Sequence, residues 1–156
     1  MAIFLKLDGI PGESSDTKHA DWIDVETLSF AETNPVASYG SGAGSSRVSV
    51  GDVNIQIKTS KAIPRLFEAC ASGQHFKNAD LDFTDSAGVR LQFRLQDLLV
   101  ASFSLTASER TEELPLANIS LSFARIVITY THREVGGSAG GVVQAGWDLA
   151  SNKKYS

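Results

Sequence analysis

The sequence predicts a mainly β fold, either a small antiparallel β-barrel or two packed sheets, with one short flanking α-helix. About eight segments alternate apolar and polar residues with the period of two that is typical of strands. Only residues 61–72 have the spacing of an amphipathic helix. Helices do not alternate with strands along the chain, which argues against a parallel sheet built from βα units.

Length and composition indicate one domain. The chain has 156 residues, and we assign residues 1–156 to a single domain. Lys and Arg number 14 and Asp and Glu 18, a net charge of −4 without a block of like charge. No nucleic-acid partner is expected, because phosphate binding requires a clustered basic face. The single cysteine, Cys70, cannot form an internal disulfide, which excludes a disulfide-stapled secreted scaffold.

The N-terminus does not resemble a signal peptide. Its apolar run is interrupted by Lys6 and Asp8, well short of the roughly 7–15 apolar residues that a signal peptide requires. No other segment approaches the ~18 consecutive apolar residues of a membrane helix, and the strands are too short and too polar for a membrane barrel. We expect a chain made in the cytoplasm, without a cleavable signal or membrane insertion.

The N-terminal third contains two strands and a long loop. Residues 3–8 alternate as a first strand, which a turn at 9–12 ends. Residues 22–31 predict a second strand. Residues 32–47 are rich in Gly and Ser and hold too little apolar surface to offset their own ordering entropy, so we expect an extended loop. One face of the second strand is predicted to carry Ile23, Val25, Thr27 and Ser29.

The middle of the chain combines a half-exposed strand with the helix. Residues 48–59 alternate apolar and polar side chains as a strand. In the helix that follows, Ser60 is a suitable N-cap and Gly73 stands where a C-terminal glycine belongs. Cys70 is expected to be a small buried apolar group rather than a nucleophile. It belongs to an apolar stripe at i, i+3, i+4 and i+7, formed by Ile63, Leu66, Phe67 and Cys70.

The C-terminal half is predicted to be strands only. Residues 76–83 and 89–96 form a hairpin around the turn at 85–88. Residues 98–107 form a further strand, and a last short strand at 143–149 follows a second glycine-rich loop, residues 134–141.

Residues 117–133 are the most strand-like segment, but their pattern changes phase. Apolar residues fall at Ile119, Leu121 and Phe123, and then at Ile126 and Ile128. Three accounts are open: a bulge near residues 124–125 with a change of register, a second half covered on both faces, or a strand that leaves one sheet and enters another. We expect Phe123, Ile126 and Ile128 to be buried.

No motif indicates catalysis, a metal or a cofactor. His19, His75 and His132 are isolated, and each is expected to be a surface or hydrogen-bonded histidine. Asp80 and Asp82 share a strand face, but no partner residue supports acid–base chemistry, and a solvated face is the expected setting. The protein is therefore predicted not to be an enzyme and to act through its surface.

Short motifs distributed along the whole chain are similar to those of one family. The chain resembles the haemolysin-coregulated protein (Hcp) family in the order and spacing of these motifs. They are IFLKLDGI at 3–10, GES at 12–14, IDV at 23–25, LSF at 28–30, SKA at 60–62, EAC at 68–70, ISLSFA at 119–124 and AGWD at 145–148.

This resemblance implies a tube protein of the bacterial type VI secretion system, a barrel of which six copies close into a ring. Its implied partners are further copies of itself, a spike protein of the VgrG kind, a contractile sheath and effector proteins carried in the lumen. The protein would be cytoplasmic before firing and then secreted into a target cell. The competing hypotheses are a monomeric small-molecule-binding β-barrel and a hydrolase with an unrecognised site.

The resemblance also assigns functional positions. Ser29 corresponds to a position that faces the lumen and bears on cargo binding, although Phe30 stands where tryptophan is common and Ala31-Glu32 replaces a glycine. The loop at 32–47 corresponds to an extended loop that reaches an adjacent subunit or ring. Its predicted ring-stacking residues are Asn34, Tyr39, Ser41 and Arg47.

Overall fold

A computed structural model of the protein describes residues 1–35, 47–134 and 139–155. These residues form one helix and ten strands, which confirms the mainly β class. The elements are β1 (Ala2–Leu7), β2 (Ile23–Ser29), β3 (Glu32–Thr33), β4 (Ser49–Val50), β5 (Val53–Lys58), α1 (Ala62–Ser72), β6 (His75–Asp85), β7 (Gly88–Thr106), β8 (Leu116–Arg133), β9 (Ala139–Asp148) and β10 (Lys153–Lys154).

Six of the strands close into an antiparallel barrel. They follow the order β8-β5-β2-β1-β6-β7, and β7 pairs with β8 to complete the circle. β9 and β10 extend the sheet outward from β8, and β3 and β4 form a separate two-stranded sheet. The predicted barrel with one flanking helix is therefore confirmed.

The barrel interior is filled by side chains. Alternate residues of β5 are buried as predicted, and α1 covers the interior. Each large aliphatic side chain removed from water contributes about 1.5–3 kcal/mol to folding, so this packed interior is the main source of stability. The largest fully buried side chains are Leu5, Ile23, Val53, Ile57, Leu66, Leu81, Leu95, Leu98, Val100, Ile119 and Leu121.

Gly73 ends α1 as predicted, whereas the N-cap position is Lys61 and not the predicted Ser60. The Ser60 hydroxyl accepts a hydrogen bond from the Ala62 N–H at 3.2 Å, one residue before the N-cap position, Lys61. At the other end Gly73 adopts a left-handed φ of 66°, and its N–H donates to the Ala69 carbonyl. Glycine suits this position because a side chain would strain the left-handed backbone.

The predicted buried stripe of α1 is wrong in part. Phe67 is 59% exposed, and its ring meets Phe103 edge-on with 5.9 Å between centroids. Cys70 is half-buried rather than buried. Small alanine side chains let the helix approach the barrel along a neighbouring stripe, so Phe67 is displaced to the rim. The buried residues of α1 are Ala62, Leu66 and Ala69.

The β6–β7 hairpin is confirmed, but the two strands predicted after it are one. Asp85 closes the turn by accepting the Ala87 N–H at 2.8 Å. β7 then runs without a break from Gly88 to Thr106. Asp97, at the predicted boundary, adopts a left-handed φ of 51°, which only a few residue types tolerate. The pattern at this residue marks a twist within one strand rather than a strand end.

The change of phase in β8 coincides with a change of partner. β8 pairs with β7 along its length, whereas its other edge pairs with β5 up to Leu121 and with β9 from Arg125 onward. This arrangement supports the third account, a strand that passes from one part of the sheet to another. Phe123 and Ile126 are buried as expected, whereas Ile128 is only half-buried.

The prediction of a register change near Arg125 is wrong. The pairs Leu98–Phe123 and Leu95–Ile126 keep one register, because β7 turns its buried face over at the same level as β8. The shift between these strands lies farther along β7, between Val100 and Ser102.

Gly146 allows the C-terminus to pack against β9. The Tyr155 N–H donates to the Gly146 carbonyl at 3.0 Å, and a Cβ on Gly146 would lie 1.9 Å from the Tyr155 carbonyl oxygen. The ring of Tyr155 stacks under the Arg125 guanidinium, 5.2 Å from the ring centroid. Glycine is therefore required here by the close approach of two backbone segments.

Gly146→Ala should displace β10 and lower the free energy of unfolding by about 1–3 kcal/mol, because the added methyl group overlaps backbone. Urea denaturation measures the loss. Gly141→Ala on the same strand is the matched control, since a Cβ there meets nothing within 4 Å. Equal stability of the two variants would contradict this account of Gly146.

Candidate functional site

A bulge in β2 decides which of its side chains face outward. The pairing of β2 with β5 shifts register between Val25 and Thr27. Ile23 and Val25 are buried, but beyond the bulge Leu28 packs against the core and Ser29 is exposed. The prediction of one face along β2 is therefore wrong, because an inserted residue turns the side chains over.

Ser29 belongs to a polar face that spans four strands. Paired residues in neighbouring strands share one face of a sheet, and the register defines two rows across β2, β5, β8 and β7. Six of the eight residues are exposed, and Gln56 and Ser120 are half-buried. We call this surface the polar face. Its rows are Thr27-Gln56-Asn118-Ser104 and Ser29-Asn54-Ser120-Ser102.

The polar face is uncharged and is connected by hydrogen bonds. The Ser120 hydroxyl donates to the Asn54 side-chain oxygen at 2.6 Å, and the Gln56 amide donates to the Asn118 side-chain oxygen at 3.4 Å. An ion pair at 3.1 Å between Lys58 and Glu26 lies next to one row. Small amides and hydroxyls offer both donors and acceptors, so this surface can contact many polar partners without a charge preference.

The strands that carry the polar face have open edges on both of its sides. β1 pairs with β2 only from Ile23 to Val25, and β6 pairs with β7 only as far as Leu99. In the described part of the chain no strand pairs with the outer edge of β2 at residues 27–29 or of β7 at residues 101–106. Unpaired strand edges are sites where another strand can add.

Two of the residues predicted for ring stacking, Asn34 and Arg47, lie apart from the polar face. Asn34 is exposed and borders a groove of about 560 Å³ beside β9. The Arg47 guanidinium donates to the carbonyls of Leu149 and Ala150, so it holds the end of its loop against the C-terminal turn. Tyr39 and Ser41 lie outside the described residues.

His19 and Asp82, which are distant in sequence, are both buried and form a hydrogen-bonded cluster. His19 is 4% exposed and lies between the side chains of Asp16 and Asp82, at 2.7 and 2.8 Å. Asp82 is 5% exposed, so its predicted solvated setting is wrong. Asp80, on the same strand face, is half-buried and pairs with Arg94 at 2.9 Å. His19 is hydrogen-bonded, which agrees with the prediction.

The described residues hold no group of three or more His, Cys, Asp or Glu side chains arranged to bind a metal ion. Their one helix is too short to cross a lipid bilayer.

Comparison with known proteins identifies the family of this chain. Residues 4–130 match the family described as "Type VI secretion system effector, Hcp". The chain belongs to the Hcp family. Protein hcp1 of Pseudomonas aeruginosa is 31% identical over 156 residues, with 96% of each chain covered.

Solved structures show the same fold. Hcp1 from Salmonella typhimurium is 32% identical, with a TM-score of 0.83 over 99% of this chain and 98% of that one. A structure of a type six secretion system protein reaches a TM-score of 0.91 at 24% identity, covering 99% of both chains. The resemblance on which the sequence prediction rested is confirmed, and Hcp proteins are structural components of type VI secretion, not enzymes.

Most of the polar face was missed from sequence. Ser29 was predicted through the family resemblance, whereas the other seven residues of the polar face were not. The available signal was the residue type: the exposed positions of these strands hold Ser, Thr, Asn and Gln instead of the Lys and Glu that are common on solvated faces.

Ser29→Asp should change the free energy of unfolding by no more than about 0.5 kcal/mol, because the side chain is exposed. Leu28→Asp on the next residue should cost about 2 kcal/mol or more, since it places a carboxylate against the core. Urea denaturation of both variants tests the bulge at Glu26. The reverse order would show that β2 has no such change of face.

Proposed function

We propose that this chain is a tube subunit of the type VI secretion system, in which six copies close into a ring and rings stack into a secreted tube. The single observation that carries the proposal is the uncharged polar face bounded by open strand edges. In a ring, the polar faces line the lumen and contact effector proteins, with Ser29 among the contact residues. The spike protein and the contractile sheath are the other proposed partners, at the tip of the tube and around it.

Strand direction favours a ring of this kind. Successive strands β2, β5, β8 and β7 are antiparallel, so β2 and β7 at the two sides of the polar face run in opposite directions. The β7 edge of one copy can therefore meet the β2 edge of the next as an antiparallel pair. Such a contact joins two different surfaces, and contacts of this kind close into a ring when the rotation between copies allows it.

Apolar side chains beside one edge support the same contact. Phe67 and Leu105 are both exposed and large, and Phe67 contacts Phe103 on β7. Exposed apolar groups next to an unpaired strand commonly mark a protein interface. A neighbouring copy seated on the β7 edge would cover them.

The alternative of a monomeric small-molecule-binding barrel has less support. A binding barrel needs an open interior, whereas this one is filled by buried residues such as Leu81, Leu95 and Ile119. The groove beside Asn34 is lined by Val48 and by residues of β9 such as Trp147, and none of these three buried residues lines it.

Disulfide trapping tests the ring. In a Cys70→Ala background, Thr27→Cys combined with Ser104→Cys places thiols at opposite sides of the polar face, roughly 14 Å apart across three strand spacings. Disulfides need Cα atoms within about 7 Å, so only neighbouring copies can be linked. We expect a ladder of covalent oligomers that ends at the closed ring on non-reducing gels.

Each single-cysteine variant is the control and should give no ladder, because one position cannot join two different edges. Ser29→Cys with Ser102→Cys tests the second row of the polar face. A folded double variant of either row that stays monomeric by light scattering would contradict the ring.

We also propose that the loop at 32–47 contributes to stacking of rings. Deleting residues 39–45 should leave ring mass unchanged in light scattering while reducing tube length in electron micrographs. A Gly-Ser segment of equal length in the same place separates the effect of side chains from that of loop length. Tubes of normal length in the deletion variant would exclude the loop from stacking.

A further inference from the structure

His19 joins a loop to the barrel through Asp82, and it also contacts Asp16 within the same loop. The loop runs from Gly12 to Trp22 between β1 and β2, and it contains both His19 and Asp16. The Nδ1 atom of His19 meets Asp16, and the Nε2 atom meets Asp82 on β6. The ring is stacked on Phe4 of β1, with 4.4 Å between centroids and 9° between planes.

This geometry fits a protonated imidazole. A carboxylate only accepts hydrogen bonds, and a neutral imidazole has one N–H. With carboxylate oxygens at 2.7 and 2.8 Å from the two nitrogens, only the imidazolium can donate to both. Loss of the proton would turn one nitrogen lone pair toward a carboxylate oxygen, either that of the buried Asp82 or that of the partly exposed Asp16. Such a contact is unfavourable, and most strongly so at the buried Asp82.

The two neighbouring carboxylates also favour the protonated form of His19. Burial alone lowers the pKa of His19, but the hydrogen bonds to Asp16 and Asp82 outweigh it and raise that pKa above its ordinary value. The hydrogen bond from His19 in turn lowers the pKa of Asp16. Gln92 on β7 donates to the other oxygen of Asp82 at 2.7 Å.

Other charged groups near His19 lie on the neighbouring strands. On β2, Asp24 pairs with Phe4 across the sheet. One row away are Lys6 of β1, Asp80 of β6 and Arg94 of β7, of which Asp80 and Arg94 form an ion pair with each other.

The loop has a defined backbone conformation, but it is short of other anchors to the sheet. The Gly12 N–H donates to Asp21 at 2.7 Å, and the Ser14 N–H donates to Trp22 at 3.0 Å, so these bonds close the loop on itself. A Cβ on Gly12 would lie 2.4 Å from the Trp22 carbonyl oxygen. Among the described residues, one side-chain hydrogen bond crosses from this loop to β6, the one between His19 and Asp82.

We infer that His19 is a proton-operated latch, which holds residues 12–22 against β1 and β6 while its ring is protonated and releases them when the proton leaves. The loop leads directly into β2. If the proposed ring holds, the latch also steadies the strand that offers its open edge to the neighbouring copy, and this last step rests on the proposed function.

The direction of the pH effect follows from the two groups. Because the pKa of His19 is raised in the folded protein, its interactions contribute fully to stability below about pH 6.5, the pKa of an unfolded histidine. This stability is lost as pH rises through the folded pKa. The lowered pKa of Asp16 means that its contribution is lost as pH falls below the ordinary carboxyl range. The latch is therefore closed at about pH 6 and opens as pH rises through the folded pKa of His19, which lies above its ordinary value.

Hydrogen exchange of residues 11–22 in the intact protein, corrected for intrinsic rates, tests this latch between about pH 6 and about pH 9. Protection of this segment should fall by up to about tenfold per pH unit above the folded pKa, while β5 and β8 stay protected. Nitrogen chemical shifts should show both His19 ring nitrogens protonated on the low-pH side of this transition.

Two variants make the test specific. His19→Gln should remove the pH dependence of exchange in residues 11–22. Asp16→Asn, at a partly exposed site, should keep the fold and move the transition to lower pH, because one carboxylate no longer favours the proton. Exchange that does not vary with pH in the native protein, or an unchanged midpoint in Asp16→Asn, would overturn the latch. Neither readout depends on whether rings form.

Discussion

The pairing of β7 with β8 is the constraint on which the other elements depend. It closes the barrel, and it holds both strands in one register from Leu91 to Val100 while each turns its buried face over. Because the two strands turn at the same level, both can bury apolar side chains in the barrel on one stretch. On the next stretch, both can bury the opposite face where β9 extends the sheet. β8 is thereby free to pair with β5 on one stretch and with β9 on the next.

Strand content, the hairpin at 85–88 and the C-terminal end of α1 could be predicted from sequence, because each depends on residues close together in the chain. The buried stripe of α1 could not, since it depends on how closely alanine lets the helix approach the barrel. The long strand β7 was divided at Asp97 for a related reason. A left-handed residue inside a strand is stabilised by its neighbours across the sheet. For Asp97 these include its ion-pair partner Arg125, and no local sequence pattern predicts such a contact.

The candidate surface was predictable only at Ser29. The polar face is assembled from four strands that are distant in sequence, and a bulge at Glu26 determines which side of β2 it includes. His19 and Asp82 are likewise 63 positions apart, and each was assessed alone. Sequence spacing detects sites built on one helix or one loop, whereas these depend on sheet register.

The absence of charge from the eight residues of the polar face has a consequence for how a tube would release what it carries. Attraction between fixed charges depends on ionic strength, and a wall of amides and hydroxyls largely escapes that dependence. Each contact with such a wall is weak, so retention comes from the number of contacts that subunits offer together. In the proposed tube, separation of a ring would remove these combined contacts, and dilution alone would then be sufficient to free the cargo.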